Sequence, residues 1–218
     1  MVKRVLFLLI VGLFSACSEP EPFEQTIEDY YPLVNGLALE YEVREIVYSV
    51  TEDPKIEVYQ LKERLSELSE NNFKIEVFKR NDATTSWQFF KVAGIKKENG
   101  KIVKTTDGRS EIVLKTGLNN GDSWDKNNLN TSEISNLMVE EKREPYDAFP
   151  FTLKVVEKLD SSLIHKNAVY SIYADGIGPV YRERTEVEYC QSSSECIGQN
   201  LIDSGRSEVW KLIRSGIE

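Results

Sequence analysis

The side chains of this 218-residue chain with the strongest nucleophilic and metal-binding chemistry are one histidine and three cysteines. His165 stands in "SSLIHKN", where no second histidine can join it as a metal ligand, and we expect it to be a loop or strand-end residue. A serine hydrolase needs a positioned base, and this imidazole has no recognisable catalytic setting. We therefore expect no metal site, no cofactor and no enzymatic activity.

Two further motifs resemble ligand-binding loops, one through its oxygen-bearing side chains and the other through its glycines. The stretch "GLNNGDSWDKNNLNTS" could offer calcium the oxygens of Asp122, Asp125, Asn127 and Asn128. These residues lack the EF-hand spacing and its closing glutamate, so we expect a solvated loop. The stretch Asp175-Gly176-Ile177-Gly178 resembles a fragment of a phosphate-binding loop, but no Lys-Ser/Thr follows it. We expect turn glycines there.

The first sixteen residues, "MVKRVLFLLIVGLFSA", have the three regions of a secretory signal peptide. Lys3 and Arg4 supply the positive charge, an apolar stretch runs from Val5 to Phe14, and two small residues follow. The apolar stretch is shorter than the roughly 20 residues that cross a bilayer, which disfavours a retained transmembrane helix. Ordinary cleavage is also disfavoured, because Phe14 stands where the first small residue of the cleavage pattern belongs.

Cys17 follows this leader directly, at the point where the chain becomes acidic in "CSEPEPFEQT". The stretch Phe14-Ser15-Ala16-Cys17 resembles the lipobox of bacterial lipoproteins, in which the cysteine is acylated and becomes the new N-terminus. Phe14 departs from the aliphatic residue usual in that box. Several acyl chains on one residue anchor a protein stably to a membrane. We therefore expect 1–16 to be a lipoprotein signal peptide, Cys17 the lipidation site and 17–28 an acidic tether; a plain thiol in a trimmed leader is the alternative.

Cys190 and Cys196 are separated by the polar stretch "QSSSE". Export would place them in an oxidising compartment, where a close pair usually forms a disulfide. Closing so short a loop stabilises a fold by about 2 kcal/mol. A redox or metal pair is disfavoured because the spacing is not C-x-x-C. We expect a structural disulfide.

The charge of the chain is strongly acidic, with 27 Lys plus Arg against 36 Asp plus Glu. Because Lys3 and Arg4 belong to the leader, the remainder has 25 cations against 36 acids and a net charge of −11. Such a surface repels nucleic acid and anionic lipid. No Gly/Ser/Pro-rich linker interrupts the chain after Pro22, so we expect one domain over 29–218.

The chain after the tether alternates apolar and polar residues, which is typical of half-buried strands. The alternation recurs in five runs: Leu39–Val43, Phe73–Val77, Trp87–Phe89, Phe151–Val155 and Val169–Tyr173. Tight-turn pairs such as Asn99-Gly100 and Asp107-Gly108 separate the strands. Later strands are expected near 133–143, 151–158, 167–174, 179–190 and 206–214. About ten antiparallel strands with little helix predict a mostly β, single-domain meander that forms a strongly curved sheet or an incomplete barrel.

Residues 58–70, "VYQLKERLSELSE", fit two interpretations. Val58, Leu61, Leu65 and Leu68 lie on one face of a helix, and local propensity favours a helix. A strand face through Tyr59, Leu61 and Leu65 is interrupted by Glu63. We favour a strand because strand-like runs flank the segment with hairpin-length connections, and leave the helix open.

Three segments together resemble uncharacterised lipoproteins of the Bacteroides group. "DYYPLVNGLALEYEV" is similar to their opening "YPL..G..W.Y", with Leu39 in place of the tryptophan; "GLNNGDSW" is similar to their "G..W" loop and "YADGIGPVYRE" to their "Y..G.G.V" segment. The order of the three matches as well. The resemblance implies a lipid-anchored, mostly β domain, similar to the half-barrel of periplasmic lipoprotein carriers, with no catalytic residues to transfer.

We therefore expect a lipoprotein of the bacterial cell envelope, held in the outer membrane by acyl chains, that acts as a non-enzymatic binding or envelope-maintenance module. Its partner could be a protein, a glycan or a lipid, and not a nucleic acid. The alternative is a carrier whose concave sheet holds an apolar ligand or lipid, with Trp87, Trp124 and Trp210 lining it. Aromatic side chains are more often part of a plain core than the lining of a ligand site.

Overall fold

A computed structural model describes residues 30–218 of the chain. The described residues form twelve strands and almost no helix. The strands are β1 (Leu37–Tyr48), β2 (Lys55–Ser69), β3 (Asn72–Arg80), β4 (Gln88–Glu98), β5 (Lys101–Thr106), β6 (Arg109–Lys115), β7 (Ser123–Asp125), β8 (Asn136–Tyr146), β9 (Phe149–Ser161), β10 (His165–Ala174), β11 (Gly178–Tyr189) and β12 (Ile202–Ile217). The count exceeds the expected ten, and β7 is too short for alternation to reveal it.

All twelve strands belong to one antiparallel sheet in the order β6-β5-β4-β3-β2-β1-β12-β11-β10-β9-β8-β7. Consecutive strands therefore pair with each other, with the exception of β6 and β7 at the two ends of the sheet. In addition, β1 pairs with β12, from Leu37 opposite Ile217 to Tyr48 opposite Gly205. The sheet curls into a nearly closed barrel with one open seam. The predicted mostly β meander with an incomplete barrel is confirmed.

The seam lies between β6 and β7, the two ends of the sheet. A few contacts bridge it instead of a ladder. The amide of Ile112 donates to the carbonyl of Lys126 at 2.9 Å, and the indole N–H of Trp124 donates to the carbonyl of Ile112 at 2.9 Å. Asn130 exchanges hydrogen bonds with the backbone of Ser110. One backbone hydrogen bond and the side chains of Trp124 and Asn130 thus bridge the seam where no strand ladder forms.

Residues 55–69 form a continuous strand, so the helical alternative for 58–70 is wrong. β2 pairs with β1 on one side and with β3 on the other. Tyr59, Leu61, Glu63 and Leu65 are all buried on the same face of this strand. Pairing on both edges outweighs a local helical preference, which differs between residues by less than about 0.7 kcal/mol.

The tight turns between β4, β5 and β6 have the predicted chemistry. Asn99 and Gly100 adopt φ of 49° and 70°, and Asp107 and Gly108 adopt φ of 51° and 77°. Two consecutive residues with positive φ give the type I′ geometry that matches the twist of a hairpin, and Asn-Gly and Asp-Gly tolerate it best. These two turns fix the register of the three strands.

The barrel interior is packed with apolar side chains from β1 to β10, and the segment before β1 contributes to it. Tyr30 and Tyr31 are 3% and 4% exposed and belong to this core. The amide of Glu218 donates to the carbonyl of Gly36 at 2.9 Å, so both ends of the described chain meet at one end of the barrel. The described residues contain no helix that is long and apolar enough to span a bilayer. The expected leader, Cys17 and the tether lie outside the described residues.

Candidate functional site

Three charged side chains meet inside the barrel. Glu63 on β2 accepts two hydrogen bonds from the guanidinium of Arg182 on β11, at 3.2 and 2.9 Å, and one from Lys104 on β5 at 3.1 Å. In the sheet, β11 and β5 each lie three strands from β2, on opposite sides. These contacts therefore cross the interior of the barrel. We call Glu63, Lys104 and Arg182 the ion triad.

The Glu63 carboxylate is only 3% exposed, so its charge depends on its two partners. Burial alone would raise the pKa of this carboxyl, but Arg182 and Lys104 together hold the pKa far below its usual range. Burial lowers the pKa of the Lys104 ammonium, and Glu63 only partly offsets this. Buried charges persist when they are paired and hydrogen-bonded, and the triad meets this condition for the carboxylate.

Aromatic rings surround the guanidinium of Arg182. Its central carbon lies 5.3 Å from the ring centre of Tyr41 and 4.8 Å from that of Trp210. The two rings contact each other at 5.5 Å, and the Tyr41 hydroxyl donates to the carbonyl of Pro179 at 2.8 Å. Cation–π contacts favour a guanidinium in this setting. Arg182 is therefore held in one orientation.

A cavity of about 260 Å³ lies in the barrel beside Arg182. Its wall includes Trp210, Tyr173 and Ser171, together with apolar side chains of β6, β8 and β9. The ring of Tyr173 lies 6.1 Å from that of Tyr31, so the segment before β1 packs against one residue of the cavity wall. The side chain of Arg182 points into the barrel and lines this cavity, and 22% of it remains exposed. We call this space the lumen cavity.

Carboxylates line the lumen cavity further along the strands, and their partners are cations and donors. Glu157 accepts from Lys126 at 2.8 Å and from Ser135 at 2.9 Å. Glu208 accepts the indole N–H of Trp210 and pairs with Arg206. Glu157 and Glu208 thus each contact a cation, which each shares with a second carboxylate, whereas Glu183 of the same wall accepts from the hydroxyls of Tyr170 and Tyr181.

The predicted disulfide between Cys190 and Cys196 is confirmed. The two Cα atoms are 5.7 Å apart, in the loop between β11 and β12. The amide of Cys190 donates to the carbonyl of Leu201 at 2.7 Å, which holds the loop together at its base. Neither cysteine lines the lumen cavity, so the bond is a structural one.

His165 begins β10 as a strand-end residue, as the sequence predicts, but it has two notable neighbours. Its Nδ1 lies 2.9 Å from the Ser162 hydroxyl, and its Nε2 lies 3.0 Å from the Asp160 carboxylate. The same hydroxyl accepts the amides of Ile164 and His165 at 3.1 Å, which is the pattern of a serine turn. Asp160 and Ser162 are exposed, His165 is half-buried, and none of the three lines the lumen cavity, so we assign them to the turn.

The two loops weighed as ligand sites are occupied by their own backbone contacts. The Asp122 carboxylate accepts the amide of Asn119, and the Asp125 carboxylate accepts those of Asn127 and Ser135. Within residues 30–218, no group of three His, Cys, Asp or Glu side chains could hold a metal ion. Gly176, at φ 70°, turns the chain between β10 and β11 as a tight hairpin.

The three tryptophans have three different positions. Trp210 lines the lumen cavity and Trp124 lies in the core. Trp87 precedes β4 and stacks on Arg80 at 4.1 Å and Lys62 at 5.3 Å. Lys62 alternates with the inward residues of β2, so Trp87 lies on the outer surface. The expectation that Trp87 lines the concave face is wrong, because the loop before β4 folds outward over these cations.

Sequence reasoning did not identify the ion triad, although one of its members left a signal. Glu63 interrupts an otherwise apolar strand face, and an acid at such a position indicates a buried charge with a partner. Lys104 and Arg182 do not interrupt an apolar strand face in this way, because the strands that carry them have other polar residues beside them. Comparisons with protein-family models, with curated proteins and with solved structures give no match for this chain.

Proposed function

We propose that this chain is a lipid-anchored lipoprotein of the bacterial envelope, of the Bacteroides-group type that its three motifs resemble. It acts by binding and not by catalysis, and its binding site is the lumen cavity. The observation that carries the proposal is a cavity inside a nearly closed barrel, with a fixed guanidinium and an aromatic face in its wall. Apolar walls with a few oriented polar groups are the usual composition of a ligand site.

The side chains of the lumen cavity support binding over catalysis. Ser171 contributes a hydroxyl, but the wall includes neither a histidine nor a cysteine that could activate it or act in its place. Glu157 and Glu208 are both engaged by cations. Such groups orient a ligand and do not transfer protons readily.

The carrier of an apolar ligand or lipid receives less support. The cavity of about 260 Å³ is at or below the lower end of pockets for drug-sized molecules, about 300–1,000 Å³. Its wall also exposes Arg182, and an acyl chain would desolvate that charge without a compensating bond. A ligand smaller than a membrane lipid fits both observations.

Filling the lumen cavity should abolish ligand binding while the fold persists. Ser171→Phe places a ring in the cavity beside Val155, its partner on β9. We expect a small molecule of a few hundred daltons, on the scale set by the pocket volume, to co-purify with the full-length protein and to be lost from the variant. Native mass spectrometry of protein extracted from the envelope in detergent measures this directly.

A matched control adds the same ring outside the barrel. Val58→Phe lies on the solvent face of β2, where Val58 is 54% exposed. This variant should retain the co-purified mass. Loss of the ligand from both variants, or a bare mass for the unmodified protein, would contradict lumen binding.

The anchor is tested by Cys17→Ser, which removes the thiol that acylation requires. We expect an unprocessed precursor and no labelling with a palmitate analogue, because cleavage of a lipoprotein leader follows acylation of the cysteine. Cys190→Ser is the control, since it removes a cysteine whose sulfur is held in a disulfide. Normal processing and labelling of Cys17→Ser would exclude this anchor.

A further inference from the structure

Four aromatic side chains lie together on the outer surface of the barrel. They are Phe78 on β3, Trp87 in the loop before β4, and Phe89 and Phe90 on β4. The rings of Phe78 and Phe89 meet edge to face, with their centres 6.2 Å apart. Phe89 is 63% exposed and Phe90 is 54% exposed. We call these four residues the aromatic patch, and none of them belongs to the barrel core.

The register of β4 explains why two successive phenylalanines are both exposed. Phe78 lies opposite Phe89 and Val77 lies opposite Lys91, so Phe90 is an extra residue without a partner on β3. In a regular strand, successive side chains point to opposite faces, whereas a bulge redirects a side chain. Clustered exposed apolar side chains mark interaction sites, while single ones need no explanation.

Basic side chains lie against these rings. The guanidinium carbon of Arg80 lies 4.1 Å from the centre of the Trp87 ring, and the Lys62 ammonium lies 5.3 Å from the same ring. The guanidinium carbon of Arg64 lies 5.4 Å from the centre of the Phe78 ring. Aromatic rings with flanking Lys and Arg are the composition that proteins place at the boundary between lipid and water.

A groove of about 230 Å³ lies beside the aromatic patch. Its wall combines Phe89 and Phe90 with the cations Lys79 and Arg80, and Asn81 adds a side-chain amide. Among the described residues, no carboxylate belongs to this wall. Cationic and amide N–H groups donate well to phosphate oxygens. The groove therefore offers donors for a lipid headgroup directly beside exposed rings.

The strands around the groove also carry carboxylates, so this face of the barrel has both signs of charge. Three of them contact cations of the patch: Glu40 approaches Arg80 at 3.7 Å, Glu76 pairs with Arg64 at 2.9 Å and Glu218 pairs with Lys62 at 3.0 Å. The Asp82 carboxylate accepts the amides of Thr84 and Thr85 within the loop. Such a mixed surface suits zwitterionic headgroups, which carry both charges themselves.

The aromatic patch lies on the side of the barrel where the chain enters. Lys62 pairs with Glu218, and the amide of Glu218 donates to the carbonyl of Gly36 just before β1. The chain from Cys17 to Tyr30 can span at most about 45 Å, at roughly 3.3–3.6 Å per residue. A barrel that lies with this side against a membrane therefore keeps its anchor within reach of that membrane.

We propose that the aromatic patch docks on the lipid surface that holds the anchor, with its rings at the lipid–water boundary and Lys79 and Arg80 toward the headgroup phosphates. The proposal rests on the anchor of the proposed function and goes beyond it, because docking gives the barrel one orientation on the membrane. The groove and the lumen cavity share no residue, so docking leaves the lumen cavity free.

A fluorescent label beside the patch tests the docking. Ser86→Cys places a nitrobenzoxadiazole label next to Trp87, and Ser161→Cys places the same label at an exposed position at the end of β9, seven strands away in the sheet. The full-length lipidated protein is reconstituted into vesicles of phosphatidylcholine and phosphatidylethanolamine. We expect nitroxide-labelled lipid to quench the label at 86 strongly and the label at 161 weakly.

Phe89→Ser combined with Phe90→Ser removes the two exposed rings that the docking requires. We expect the quenching at 86 to fall to the level measured at 161. The matched control removes two successive exposed apolar side chains elsewhere, by Leu163→Ser with Ile164→Ser, whose side chains are 65% and 42% exposed. This control should leave the quenching at 86 unchanged.

The outcomes separate this inference from the proposed function. Equal quenching at the two positions, or quenching at 86 that survives the loss of both phenylalanines, would overturn the docking and leave the anchor intact. A patch that binds another protein or a second copy of this chain would give no excess quenching at 86 by lipid, which also overturns it. A protein that does not float with the vesicles would overturn the anchor itself and the docking with it.

Discussion

Glu63→Gln should lower the free energy of unfolding by about 3 kcal/mol, the lower end of the range for breaking a buried ion pair. The amide cannot neutralise Arg182 and Lys104, which would then be left inside the barrel as two cations without a counter-charge. We expect the lower end because both cations keep about a fifth of their side chains exposed. Chemical denaturation at neutral pH measures the change.

Glu76→Gln is the matched control for this variant. Glu76 also accepts from two cations, Arg64 at 2.9 Å and Lys74 at 3.0 Å, but on the outer surface of β3. Exposed ion pairs contribute about 1 kcal/mol or less. An equal loss of stability in the two variants would show that the barrel interior gives Glu63 no special role.

The Glu63 carboxylate also makes the free energy of unfolding depend on pH. The pKa of Glu63 is depressed in the folded protein from its usual value of 4.5, so its contribution to stability is complete above that value. The contribution decreases as the pH falls below it and is lost once the pH passes the depressed folded pKa. The stability difference between the unmodified protein and Glu63→Gln should therefore be constant near neutrality and shrink in acid.

Trp124→Ala should cost about 3–5 kcal/mol, which is typical of deleting a large buried aromatic side chain. Trp124 is 6% exposed, belongs to the core and donates its indole N–H to the carbonyl of Ile112 across the seam. Trp124→Phe keeps most of the ring and leaves that carbonyl without its donor, at a cost of about 1–3 kcal/mol. In both variants the amide of Ile112 should exchange with solvent faster than in the unmodified protein.

Trp87→Ala provides the comparison, because it deletes the same side chain from the outer surface. Its contacts with Arg80 and Lys62 are cation–π contacts at an exposed site, worth about 0.5–1 kcal/mol each. We expect a smaller loss of stability and unchanged exchange at Ile112. An equal loss in the free energy of unfolding from Trp87→Ala and Trp124→Ala would show that the bond from Trp124 to Ile112 does not hold the seam together.

The strands and turns could be predicted because their causes are local. The alternation of Leu39, Tyr41 and Val43 predicts a half-buried strand, and Asn99-Gly100 predicts the turn that the structure contains. Residues 58–70 were ambiguous for the same reason, since the local helical preference is real and only pairing with β1 and β3 overrides it.

The candidate site could not be predicted, because its causes are not local. Glu63 marks a break in an apolar face, but its partners lie about 40 and 120 residues further along the chain and three strands away on either side. Only the closure of the sheet brings them together. Trp87 was misplaced because the loop before β4 folds outward over Arg80 and Lys62, and those cations lie on other strands.

The pairing of β1 with β12 also determines the order in which this fold can be completed. Every other pairing in the sheet joins strands that are consecutive in sequence, so two arrays of hairpins can form from nearby residues. The contact between Leu37 and Ile217 spans nearly the whole described chain, and such a contact is slow to form because a long loop must close first. During synthesis, one edge of β1 therefore stays unpaired until β12 has been made. The ion triad has members in both arrays, so it assembles only at that final step.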